Sequence, residues 1–215
     1  MQKIIHTGVC LVIAGLLLVQ LTGCYGTPDK GIISNGVYSN EFFAFDFPIP
    51  EGWYVYNDQQ TLRTITNEGI NFIAQDNPQA REIMQQAQGS FLMFMSRYSL
   101  DQELDKINPN IIFGFENIAQ HRGVVRDSED YLRIAADETE KMSPGYKFEN
   151  NIVPIQLGSA AFSRIDATLT LQGIPIHQRM MATIKKNHVL LVNLTGGSRS
   201  DIEDLTRIVQ KTTFR

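Results

Sequence analysis

The chain has 215 residues, 43% of them hydrophobic and 20% charged, with a formal net charge of -4. This balance excludes a disordered chain and a multi-span membrane protein. The acidic charge argues against nonspecific nucleic-acid binding and against electrostatic adsorption to anionic lipid, both of which need a basic surface.

The first predicted element is a leader. Met1-Gln2-Lys3 opens it, and Val9 to Val19 is an uninterrupted apolar run. Its length suits the core of a signal peptide and falls short of the ~20 residues that a spanning helix needs. Leu21-Thr22-Gly23-Cys24 follows and resembles the bacterial lipobox, with Leu three residues before the cut, a small Gly just before it, and Cys just after. The resemblance implies cleavage between Gly23 and Cys24 and a diacylglyceryl group on the Cys24 thiol. The product would be a lipoprotein on the extracytoplasmic side of the cell membrane. Two or three acyl chains anchor stably, because each buried methylene adds ~0.8 kcal/mol. Two other readings remain. A plain secretory signal prefers a small residue where Leu21 stands, and a retained helix would have to run from Ile4 to Leu21 across His6 and Thr7. Removing residues 1–23 also removes Cys10. One cysteine then remains, too few for an internal disulfide or a thiolate metal cage. Residues 24–36, lipidated Cys24 and the stretch YGTPDKGIISNG, read as a flexible tether, leaving 37–215 as one globular domain.

Within that domain, Val37 to Ile49 reads as a strand, since Phe43, Phe45 and Phe47 alternate with Ala44 and Asp46. Trp53 to Tyr56 is a second strand. A helix is expected over Asp58–Thr66, and another begins at Asn77-Pro78, with Ala80, Ile83, Met84 and Ala87 on one face and Gly89 ending it. Phe91–Tyr98 and Ile111–Ala119 are strands, joined by a polar loop over Ser99–Pro109. Ser128 caps a helix to Met142 whose inner stripe is Leu132, Ala135, Thr139 and Met142, and Ser143-Pro144-Gly145 stops it. Tyr146–Asn150 reads as a short edge strand.

The last third is the clearest. Ala160–Leu171 and Ile174–Ile184 alternate strictly and are joined by Gln172-Gly173. A two-residue turn sets the register. It places Ile165 opposite Met180 and Leu169 opposite Ile176 on the core face, with Asp166 opposite Arg179 and Thr168 opposite His177 on the outer face. Opposed charges support that pairing. His188–Thr195 is apolar on both faces and should be covered on both. Ser200 and Glu203 form a capping box for a final helix with Ile202, Leu205, Ile208 and Val209 facing the sheet. The elements sum to an α+β fold, an α/β/α sandwich whose central antiparallel sheet carries helices on both faces.

Two blocks carry a family resemblance. One is Phe45-Asp46-Phe47-Pro48 through Pro50-Glu51-Gly52-Trp53. The other is the terminal hairpin, third strand and final helix, ending Thr212-Thr213-Phe214. Together they resemble the PsbP-like superfamily, which includes the extrinsic photosystem II subunit, a Ran-binding import factor and bacterial lipoproteins of the DcrB type. The resemblance implies the sandwich fold and no shared enzyme activity. It carries over no site residue.

Candidate chemistry is sparse. His121, His177 and His188 lack the i, i+4 helical spacing of a zinc site. Asp166, Arg179 and His177 are the candidate ligand or partner surface, with a cross-strand salt bridge as the plainer account of the first two. Asp127, Glu129, Asp130, Asp137, Glu138 and Glu140 make an acidic helix, best read as a solvated face. Phe42, Phe43, Phe45, Phe47 and Trp53 read as core. Asn193-Leu194-Thr195 is a chance glycosylation pattern on a strand. No P-loop, nucleophile elbow or dinucleotide fingerprint occurs. No cofactor is expected, and neither an enzyme nor a nucleic-acid partner. The expectation is a membrane-anchored protein that binds or scaffolds an envelope protein. The alternative is a binder of a small molecule or cation.

Overall fold

The computed structural model describes residues 28–73, 78, 82, 90–121, 123–143, 145–171 and 173–215. Among them the elements run β1 (Ile32–Ser34), β2 (Val37–Asn40), β3 (Phe45–Pro48), β4 (Tyr54–Tyr56), α1 (Gln59–Ile73), β5 (Ser90–Ser96), β6 (Asn110–Asn117), α2 (Ser128–Met142), β7 (Tyr146–Phe148), β8 (Val153–Leu157), β9 (Ala160–Leu171), β10 (Ile174–Lys185), β11 (His188–Gly196), α3 (Arg199–Val209) and β12 (Thr213–Phe214).

The strand with apolar residues on both faces takes the middle of the larger sheet. Its order is β4-β5-β6-β11-β10-β9-β7, with β8 sharing the outer edge of β9, and every residue of β11 is buried. The β9–β10 register is the expected one: Ile165 pairs with Met180, Leu169 with Ile176, Asp166 with Arg179 and Thr168 with His177. Strand β8 escaped the sequence reading because Pro154 interrupts its alternation. Proline is tolerated there because β8 is an edge strand.

Alternation sends the sheet's side chains to two separate cores. On one face α1 sets Leu62 and Ile65 on Phe94 and Ile112, and α2 sets Tyr131, Leu132 and Ala135 on Ile165, Met180 and Leu191. The other face receives Ile202, Leu205 and Val209 from α3. It also receives a second antiparallel sheet, β1-β2-β3-β12, whose Tyr38, Phe43, Phe45 and Phe47 pack with Met93, Phe113, Phe115 and Leu190. The fold is therefore α+β with two antiparallel sheets. The α+β class and the antiparallel larger sheet are as expected, and on one face the second sheet shares the cover with α3.

The second sheet was hidden by length and by a turn. The predicted strand Val37–Ile49 is a hairpin. Asn40 Oδ1 accepts from Phe43 N at 2.8 Å and Asp29 Oδ2 from Phe42 N at 2.8 Å, and Ala44 takes a positive φ of 54°. The expected tether also ends early. Pro28 is buried, and β1 pairs with β2 through an Asn35-Gly36 turn with φ of 49° and 72°, the left-handed pair that a two-residue hairpin needs. Residues 1–27, with Gly23 and Cys24, lie outside the described residues, as does nearly all of the predicted Asn77–Gly89 helix.

Helix limits also shift. Asp58 Oδ1 accepts from Thr61 N, and α1 runs on past the predicted Thr66. Asp127, not Ser128, caps α2 by accepting from Asp130 N. Ser198 with Asp201, not Ser200 with Glu203, caps α3. Glu203 is drawn instead to Arg179.

Candidate functional site

Arg179 and Asp166 are cross-strand partners on the face that α3 crosses. The apolar stripe of α3 holds the helix down, and its next face brings Glu203 and Thr206 over the pair. Arg179 Nε donates to Asp166 Oδ1 at 2.7 Å and Nη2 to Asp166 Oδ2 at 2.7 Å. Nη2 also reaches Glu203 Oε1 at 2.9 Å, and Nη1 donates to Thr206 Oγ1 at 2.8 Å. Expected on an outer face, Arg179 is only 3% exposed. Burial disfavours its charge, but the bonds to Asp166 and Glu203 outweigh that and hold the guanidinium above its ordinary range.

His177, two residues along β10, is half-buried beside this network. It shares a cleft of about 260 Å³ with Arg164, Arg199, Glu149 and the Asp166–Arg179–Glu203 cluster. Arg199 reaches Glu149 at 3.6 Å across the rim. The structure thus brings Asp166, Arg179 and His177 together and divides their roles. Asp166 and Arg179 fasten α3 to the sheet, while His177, Arg164 and Arg199 line the opening.

A second cleft lies on the other flank of α3 and was not foreseen. It measures about 460 Å³ and is lined by Trp53, Arg97, Tyr98, Lys106, Ile107 and the start of α3, among others. The Ser99–Pro109 loop forms one wall, pinned where Asn108 Oδ1 accepts from Tyr98 N and Asn108 Nδ2 donates to Tyr98 O. Lys106 Nζ donates to Tyr98 Oη at 3.2 Å and lies 4.9 Å from its ring centroid, so its bond and charge lower the phenol's pKa. Trp53 is half-buried: it packs on the core and lines this cleft. The available signal was the loop itself, since a structureless stretch of that length is often functional.

The other candidates resolve as structure. Asp130 takes both Arg126 and Arg133, Glu129 pairs with Arg133, and Glu138 with Lys141, so much of the acidic helix is neutralised in place. His188 is buried, and burial lowers its pKa. Its Nδ1–H donates to Lys186 O at 3.0 Å, with Phe42 edge-on at 5.0 Å. His121 sits on a short 3-10 turn, Ala119–His121. Asn193 is buried within β11, out of reach of a glycosyl donor. Among the described residues no group of three or more His, Cys, Asp or Glu could hold a metal. The clefts can pair charge and hydrogen-bond. Asp166 has both carboxylate oxygens on the Arg179 guanidinium.

The fold is similar to that of PsbP. Cyanobacterial PsbP (CyanoP) from Synechocystis sp. PCC 6803 superposes with a TM-score of 0.51 at 11% identity, over 91% of this chain and 99% of that one. LpqN, involved in cell envelope biogenesis of Mycobacterium tuberculosis, gives 0.42 at 12% identity over 79% and 82%. PA94 of Pseudomonas aeruginosa, of unknown function, gives 0.44 at 17% over 60% and 85%. At these identities the likeness speaks to fold alone. No family model and no curated protein matches the chain.

Proposed function

We propose that this chain is a lipoprotein, cut before Cys24 and held on the extracytoplasmic face of a membrane, whose domain binds an envelope protein without catalysing a reaction. One observation supports the reading best: the tether joins the domain at one end, and both clefts open at the other. Asp29 is fastened at the β2–β3 turn, by Asn40 and Phe42. The clefts gather where β5 and β11 end and α3 begins, at Tyr98, Gly197 and Arg199. A domain held by its lipid would therefore present the flanks of α3 outward. Their rims mix Arg97, Lys106, Arg164 and Arg199 with Glu149, Asp201 and Asp204, a pattern that selects a partner of matching charge.

Photo-crosslinkers at Arg199 and at Lys106 in intact cells should capture the same protein. Failure to recover any repeated partner from either position would refute the binding. Cys24→Ala should move the protein out of the membrane fraction, and unchanged fractionation would refute the anchor. The larger cleft supports a second reading. Its volume lies in the range of small-molecule sites, and Trp53, Tyr98, Arg97 and Lys106 would suit a small anionic ligand. Ligands that bind the folded state raise Tm. A screen of metals, sugars and lipids without any shift would remove this reading.

A further inference from the structure

Asp29 is locked into the domain through its carbonyl and both carboxylate oxygens. Its Oδ2 accepts from Phe42 N at 2.8 Å, its Oδ1 from Gly31 N at 2.8 Å, and its carbonyl from Asn40 Nδ2 at 2.9 Å. Pro28 before it is buried. Five residue steps separate Asp29 from Cys24, and five steps reach at most about 17 Å. A lipid on Cys24 would therefore hold this end of the domain close to the bilayer, where a free tether to residue 36 would have let it tumble.

The strands bring cations to that same end. Lys185 ends β10 and Lys186 opens the β10–β11 turn, and Lys186 Nζ lies 5.1 Å from the centroid of Phe42. Lys185 Nζ donates to Phe43 O at 2.9 Å. Burial, then the charges of Lys186 and Arg215, lower the pKa of Lys185, so these three cations lie within electrostatic reach of one another. Arg215 N donates to Ala44 O, and Lys211 precedes Thr212, whose carbonyl closes on Gly158 of the β8–β9 turn. Lys30 follows Asp29 directly and is exposed. Of the acids here, Asp29 accepts the backbone bonds above and Glu41 and Asp46 are paired with Arg215; the start of α2, where Ser128 Oγ meets Ser163 Oγ of β9 at 2.8 Å, brings Asp127, Glu129 and Asp130 toward this end, with Arg126 and Arg133 against them. Lys30, Lys186 and Lys211 are exposed.

We infer that this end, formed by the β2–β3, β8–β9 and β10–β11 turns, is a membrane-facing surface whose lysines lie against anionic headgroups. The inference rests on lipidation at Cys24, which supplies the short leash. The acidic domain as a whole would not adsorb. The anchor presents this lysine-bearing end, and the potential of an anionic leaflet acts only within about a Debye length.

The test uses the full processed lipoprotein reconstituted in vesicles of phosphatidylcholine, with or without phosphatidylglycerol. Ser159→Cys marks the proposed contact and Gln102→Cys the opposite end, each carrying one thiol-linked fluorophore. Nitroxide-headgroup lipid should quench the probe at 159 several-fold more than the probe at 102. Phosphatidylglycerol should deepen the quenching at 159. Lys186→Glu with Lys211→Glu should largely abolish that difference. Equal quenching at both positions in protein that floats with the vesicles would overturn the inference while leaving the anchor standing, as would quenching indifferent to lipid charge and to both lysines. The unlabelled parent reports separately on the anchor: a reactive thiol and no flotation would overturn lipidation itself.

Discussion

Arg179→Met tests whether the buried guanidinium holds α3 to the sheet. The substitution keeps most of the volume and removes four hydrogen bonds, two to Asp166, one to Glu203 and one to Thr206. Deleting one partner of a fully buried ion pair costs about 3–5 kcal/mol. Here the carboxylates are partly wet, with side chains 23% and 57% exposed, so water replaces some of what is lost. We expect about 2–3 kcal/mol. In a domain of this size each kcal/mol moves Tm by ~2–4 °C, giving a fall of roughly 5–10 °C. Urea and thermal melts of the mature protein in mild detergent, followed by circular dichroism, would measure it. Glu203→Gln should cost no more than about 1 kcal/mol, because its pair is the exposed one. Asp166→Asn added to Arg179→Met should recover part of the loss by removing the stranded carboxylate. A single Arg179→Met variant within about 0.5 kcal/mol of the parent would refute the argument, because the desolvation of the guanidinium would then cancel its bonds.

Three further predictions concern other parts of the fold. Arg126, then Arg133, hold the Asp130 carboxyl down from 3.8 to about 2, so its contribution is present above pH 3.8 and lost as pH falls toward 2. Asp130→Asn should flatten the acid limb of the stability curve in that window, and an unchanged limb would remove Asp130 from it. Tyr131 Oη donates to Glu116 Oε2 at 2.7 Å deep under α2, and burial first, then the Glu116 charge, pushes its pKa well up. Tyr131→Phe should cost about 1–3 kcal/mol in urea melts, whereas a neutral variant would mean the bond contributes nothing net. Gly158 takes a φ of +56°, and an added Cβ would lie 2.3 Å from Thr212 O. Gly158→Ala should cost at least ~1–3 kcal/mol and loosen β12, read as faster hydrogen exchange at Thr213 and Phe214. Unchanged exchange there would refute the contact.

Much of the fold was legible wherever one periodicity ran long enough. The β9–β10 register followed from alternation and a two-residue turn, because a slip of one residue would put every core side chain on the wrong face. The central place of β11 followed from its having no polar face to turn to water. Cap positions slid by a residue or two, since Ser128 and Asp127, or Ser198 and Ser200, are equally good acceptors until the chain's path selects one.

The chain alone determined the long hairpin and the meeting of Asp166, Arg179 and His177. Each rests on neighbours in sequence or on the arithmetic of one turn. Tertiary structure alone decided that Arg179 is buried, that β1 and β12 complete a second sheet, and that Trp53, Tyr98 and Lys106 share a cleft. The second sheet joins segments about 180 residues apart, from Ile32 to Phe214, through edge strands of three and two residues that carry no period of their own. Local pattern says which face of a segment seeks cover. Only the packed chain says what covers it, because burial is a property of the partner as much as of the residue.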